Sequence, residues 1–191
     1  MKRRTLLSVT SASMVSLTGC LGATEYTITD VNAETTTPLG ISIEIVEPNA
    51  VIEHPAQMAF SVTNKQESPI EIRNTGIWPF GLLELVPSLD TQDGGSGTIL
   101  WTDRYEESRY VDAESRQSYG VESTPLVRTL DAGETVTETY DVHGSDIIET
   151  GTMYVRGRFE PPILEYTTEE NEEWDSFSPE ITVKLGEQSL I

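Results

Sequence analysis

Cysteine, histidine and lysine are the scarce residues of this chain: one Cys and two His in 191 residues, and only Lys65 and Lys184 beyond Lys2. A single Cys cannot form an intramolecular disulfide, and a Cys-based zinc site needs more than one thiolate. Cations are scarce as well. Lys and Arg total 12 against 32 Asp and Glu, a net charge of -20. That balance excludes nucleic acid as a partner, because its binding depends on Lys and Arg displacing counterions from phosphates. No apolar run reaches the roughly 20 residues a membrane-spanning helix requires. No Asn-x-Ser/Thr sequon occurs, so standard N-glycosylation is not expected. Nor does any long segment carry a capped 3.6-residue period, which removes the two-lobed α/β solute receptors.

What is present begins with an address. Lys2, Arg3 and Arg4 precede a mild apolar stretch from Leu6 to Leu17, broken by Ser and Thr. A basic start, a short apolar run and small residues at the cut site read as an export signal over residues 1–19. Arg3-Arg4-Thr5-Leu6-Leu7 resembles the twin-arginine export signature, and Lys-Arg-Arg also serves as a plain Sec start. Leu17-Thr18-Gly19-Cys20 resembles a lipobox, which implies that Cys20 is lipidated and becomes the new N-terminus. One acyl chain holds a protein marginally and a two-chain lipid holds it stably, so membrane anchoring through Cys20 is expected, on the extracytoplasmic face. Residues 20–38 are Thr-rich and read as a tether. About 19 flexible residues reach roughly 25 Å. Tyr26-Thr27-Ile28-Thr29 alternates, however, and leaves open an added strand.

Without its signal the chain keeps nine Lys and Arg against 32 acids, a charge of −23. The acids are spread along the whole length and do not form one tail. This pattern resembles the proteins of salt-loving archaea. At molar salt the Debye length falls to about 3 Å, which screens the self-repulsion of so acidic a compact state. A salt-adapted protein of the cell surface is therefore expected.

From Leu39 onward the apolar period is two. Ile41, Ile43 and Ile45 alternate with polar residues, as do Met58, Phe60 and Val62, then Ile70 and Ile72, and Leu83 and Leu85. Ile99 and Trp101 form a short run; Val136, Tyr140 and Val142 share a face that Glu138 interrupts; Met153 to Phe159 and Ile181 to Leu185 close the series. About eight short, half-buried strands separated by turn residues predict an all-β fold, a single antiparallel sandwich over residues 39–187. The runs Met58–Asn64, Glu84–Asp90 with Asp93-Gly94 and Ile99-Leu100-Trp101, Leu130–Val136 and Gly151–Tyr154 together resemble the immunoglobulin-like sandwich of the intracellular proteinase inhibitor family. The resemblance implies the fold. It does not transfer inhibition, since fold alone does not carry function and no reactive loop is recognisable.

Candidate chemistry is sparse, and an enzyme is not expected. Asp141, His143 and Ser145 are triad residue types, but a triad is a spatial arrangement and neighbours at one strand end rarely form it. No Gly-x-Ser-x-Gly elbow accompanies them. His54 at a strand entry reads the same way. Blue copper needs a Cys beside two His, and the only Cys is taken by the anchor. Asp90 and Asp93 at a Gly-rich turn, and the run Glu169, Glu170, Glu172, Glu173 and Asp175, lack the alternating spacing of a calcium loop. No metal or cofactor is expected.

Two long connections carry the functional signal, since loops beyond about 12–15 residues are uncommon and usually functional or disordered. Residues 103–125 hold Arg104, Tyr105, Arg109, Tyr110, Arg116 and Tyr119; residues 160–178 hold Tyr166, Trp174 and Phe177 among acids. Tyr, Trp and Arg are the side chains enriched at interface hot spots. The first set is the candidate partner contact, with loop aromatics packed back on the sandwich edge as the other reading. Trp78-Pro79-Phe80 reads as cover for one end of the core. The expectation is a lipid-anchored, non-catalytic binding or structural module whose partner is a surface protein or glycan. The alternative is an inhibitor of an extracellular protease.

Overall fold

Most of the alternating runs become strands with one face on the core and the other toward water, while Leu83–Val86 and Thr98–Leu100 are buried on both faces. In the computed structural model, residues 25–34, 37–90, 97–159, 162–169 and 171–188 are described. Arg3, Arg4, Cys20, Asp93 and Glu170 lie outside them. The described chain forms β1 (Tyr26–Ala33), β2 (Leu39–Glu47), β3 (Asn49–Ala50), β4 (Ala56–Asn64), β5 (Ile70–Asn74), β6 (Leu83–Val86) and β7 (Thr98–Leu100). One turn of helix, α1 (Arg104–Glu107), precedes β8 (Val111–Ser115), β9 (Ser118–Val121), β10 (Leu126–Leu130) and β11 (Thr135–Val142). A 3-10 turn at Gly144–Asp146 leads to β12 (Gly151–Gly157), β13 (Leu164–Thr168), β14 (Asn171–Phe177) and β15 (Ile181–Glu187).

All pairings are antiparallel. A six-stranded sheet runs β3-β1-β15-β12-β6-β7, a four-stranded sheet β10-β5-β13-β14, a three-stranded sheet β11-β4-β2, and β8-β9 is a separate hairpin. The fold is all-β and sandwich-like, as the period of two implies. It has 15 strands among the described residues where about eight were expected. The eight expected runs are β2, β4, β5, β6, β7, β11, β12 and β15. The added ones, β1 apart, are short or polar. β14 is Asn171-Glu-Glu-Trp-Asp-Ser-Phe177 at a sheet edge, where charged side chains discourage pairing with another chain.

Two expectations need correction. Residues 26–33 were assigned to the tether, yet β1 pairs along β15 from Tyr26↔Glu187 to Ala33↔Ile181 and buries Ile28. The alternation of Tyr26 to Thr29 was the true signal. The connections 103–125 and 160–178, expected as long loops, contain α1, β8, β9, β13 and β14.

The core takes residues from the three larger sheets. β4 shows why: Ala56, Met58, Phe60, Val62 and Asn64 are all buried, one face of a strand paired on both sides. Burial of Phe60 alone contributes about 1.5–3 kcal/mol. Its ring meets Tyr140 edge-on at 5.4 Å and Phe80 at 6.2 Å. Asn64 is the polar member of this face, and its buried amide nitrogen donates to the carbonyls of Ser68, Leu130 and Asp131 at 2.9–3.1 Å.

Candidate functional site

The segment after Trp101 is organised by one buried phenol. Tyr105 in α1 is fully buried, its ring 5.3 Å from Trp101. Its hydroxyl donates to the carbonyls of Leu100 at 3.1 Å and Gly81 at 3.3 Å. The Tyr140 hydroxyl donates to the same Gly81 carbonyl. Gly81 has φ +66, and a Cβ there would sit 2.4 Å from Asn74 Oδ1, so no other residue fits that turn without displacement. Burial raises both phenols well above their usual pKa. Tyr105 is therefore core. Its assignment to a partner contact is overturned, because one turn of helix swings it under the sheet while Arg104 stays outside.

The five remaining candidates separate into two places. Arg104, Arg109 and Tyr110 line one cleft of about 260 Å³, together with Trp78, Glu107 and Arg128. Arg104 is tied to the buried carboxylate of Glu138, whose other oxygen accepts from Thr102 Oγ1 at 2.9 Å. Glu138, a misfit in the alternation of β11, is thus the counter-ion of an arginine 34 residues away. The Arg109 guanidinium lies 4.6 Å over the Tyr110 ring, and Arg128 lies 5.1 Å over Trp78. Arg109 donates to the Tyr110 hydroxyl, which raises the guanidinium pKa further and keeps the cation charged. Trp78 is buried, and its indole N–H has no hydrogen-bond partner among the described residues.

The ion pairs give this cleft its meaning. Of the seven Arg beyond the signal, Arg73, Arg104, Arg116, Arg156 and Arg158 each pair with a carboxylate. Among the described residues, Arg109 and Arg128 do not. Both stack on aromatic rings at the same cleft. Arg128 is not among the residues the sequence marks, and Trp78 is expected there only as cover for the core. Nothing local marks Arg128, since its ring partner comes from the turn after β5.

Arg116 and Tyr119 lie elsewhere, on the β8-β9 hairpin. Arg116 Nε donates to Asp146 at 2.7 Å, and Gln117 reaches the same carboxylate at 3.3 Å. Tyr119 packs edge-on between Trp101 and Phe159, at 6.2 Å from each, with Arg158 5.1 Å over its ring. Burial raises its pKa, and Arg158 pulls it partly back. Below it, the fully buried Glu84 accepts from Arg156 at 2.8 Å, Arg158 at 2.6 Å and the Gly97 amide at 3.2 Å. This is an internal ion triad joining β6, β12 and the entry to β7.

The other candidates stay apart. His143 Nε2 stands 4.0 Å from Asp141 Oδ2, and the Ser145 hydroxyl bonds Asp146 at 3.1 Å, which is not a relay from base to nucleophile. Burial first, then Arg116, lowers the His143 pKa. His54 is exposed beside the Pro55 carbonyl. Trp174 takes the Arg73 guanidinium at 4.3 Å, and Phe177 is core. Among the described residues no group of three or more His, Cys, Asp and Glu is placed to hold a metal ion, and no helix is long and apolar enough to cross a membrane.

A family model described as a domain of unknown function, DUF8130, matches residues 1–191, and the chain belongs to that family. No curated protein matches it.

Proposed function

We propose that this DUF8130 protein is a lipid-anchored, salt-adapted, extracytoplasmic binding module that works without catalysis and meets its partner at the arginine–aromatic cleft. One observation carries the reading. Acids outnumber cations in this chain, and among the described residues five arginines are held by carboxylates while the other two, Arg109 and Arg128, converge on one concave site with Trp78 and Tyr110. A guanidinium on an aromatic face keeps its outward N–H groups for a ligand, and Trp, Tyr and Arg supply most of the energy at protein interfaces. The partner is a surface protein or glycan that presents carboxylate or another anion. The exported, anchored location is supported by the sequence alone, through Arg3, Arg4 and the lipobox Cys20.

The test is capture of envelope components by the immobilised mature chain in molar salt, with Arg109→Ala/Arg128→Ala beside the parent. Capture by the parent and its loss in the variant is expected. Unchanged capture discards the cleft. Stoichiometric inhibition of an extracellular protease would replace this reading by the inhibitor. Two further measurements test the setting. Cys20→Ser should move the protein out of the membrane fraction. Circular dichroism should show cooperative folding in molar salt and its weakening in dilute buffer.

A further inference from the structure

Two cavities of about 430 and 690 Å³ adjoin where both are lined by Arg116 and Ser145. Six large hydrophobics are exposed among the described residues: Val46, Ile52, Leu89, Val127, Ile148 and Phe159. The three most exposed are Ile52 at 74%, Ile148 at 63% and Phe159 at 56%. All three lie on the walls of these two cavities. Single exposed hydrophobics are ordinary, whereas a cluster with a polar rim marks an interaction surface. The walls carry Arg116 and Arg158 against Glu53 and Asp146, with His54 and His143 as further polar residues. On a chain this acidic, that is a face without the prevailing negative charge.

The position of the chain start adds the decisive constraint. Tyr26, the first residue of β1, lines the larger cavity, and a Cβ added at Gly144 would be 3.7 Å from its ring. Cys20 precedes it by six residues. Even a fully extended connection of that length spans only about 20 Å. A lipid on Cys20 therefore holds this face within one short segment of the bilayer.

We propose that the face bearing Ile52, Ile148 and Phe159 lies against the membrane to which the chain is anchored. The two Ile and the Phe enter the headgroup boundary, and Arg116 lies at the level of the lipid phosphates. In molar salt, repulsion between an acidic chain and anionic lipids is screened within about 3 Å, while burial of apolar side chains is not weakened. The cleft at Arg109 and Arg128 involves none of these residues and stays available to a partner. The inference rests on the anchor at residue 20, so its test supplies that anchor chemically.

The mature chain has one thiol, Cys20, which couples to a maleimide lipid in vesicles of phosphatidylcholine and phosphatidylglycerol at molar salt. Hydrogen exchange read by mass spectrometry should slow several-fold over residues 51–55 and 144–149 relative to the untethered chain. Residues 126–130, which include the exposed Val127, should not change. Ile52→Ser/Ile148→Ser should abolish the protection while keeping the urea midpoint of the parent. Unchanged exchange at 51–55 and 144–149, protection at 126–130 in their place, or protection that follows protein density at constant lipid would each overturn the proposal. The last outcome would point to a second copy of the chain. Lipidation in cells is read separately, from the mass of the native N-terminal peptide, so a failed anchor and a failed docking face give different results.

Discussion

Around Glu84 two guanidinium groups are shut in with a carboxylate; around Trp78 and Tyr110 two others lie on aromatic rings in the open. Arg156 and Arg158 have side chains only 11% and 14% exposed and bridge to a fully buried Glu84. Arg109 and Arg128 are exposed and stack. The residue type is the same and its use differs. A buried pair broken on one side leaves an uncompensated charge, so the first site is a condition of folding. An exposed stacked arginine contributes little to folding and can be given to a partner. On an acidic chain, an arginine without a carboxylate is therefore the more informative one.

The sharpest way to break this contrast is Glu84→Gln, which keeps the volume and removes the charge. It should cost about 3–5 kcal/mol, read as a fall in the urea unfolding midpoint in molar salt. A loss below about 1 kcal/mol would make the two sites alike. Tyr105→Phe comes next. It removes a buried hydroxyl that donates to Leu100 and Gly81 and should cost about 1 kcal/mol, with partner capture intact. Lost capture at full stability would return Tyr105 to the contact.

A pH experiment probes the larger cavity, which His143 lines. The folded pKa of His143 is lowered by burial and then by Arg116. Its unfolded value is near 6.5. A depressed folded value contributes stability that is present above the unfolded pKa and lost as pH falls through the folded one. Stability should therefore decline below about pH 6.5, and His143→Gln should flatten that part of the profile. Smallest in stability is Arg109→Ala/Arg128→Ala, which should leave the urea unfolding midpoint of the parent unchanged while partner capture disappears.

Strands were legible wherever one face is buried and the other wet. β4 alternates strictly and was read residue by residue. β10, whose Val127, Arg128 and Thr129 are all exposed, and β14, rich in acids, give no such pattern because little of either meets the core. They are strands because β5 and β13 offer them hydrogen-bonding edges. Tyr105 was misread for a related reason. A hydrophilic segment with aromatics looks like a binding loop until one of its rings is found to complete the core.

The amino-acid sequence by itself determined the all-β architecture, through a period of two that admits no long helix. It also determined the acidity and the lone Cys20. Which arginines are free was decided by the tertiary structure. The partners of Arg104, Arg116, Arg156 and Arg158 lie 34, 30, 72 and 74 residues away. Neutralisation acts over a few ångströms in space, and only the register of the sheets brings those carboxylates within reach.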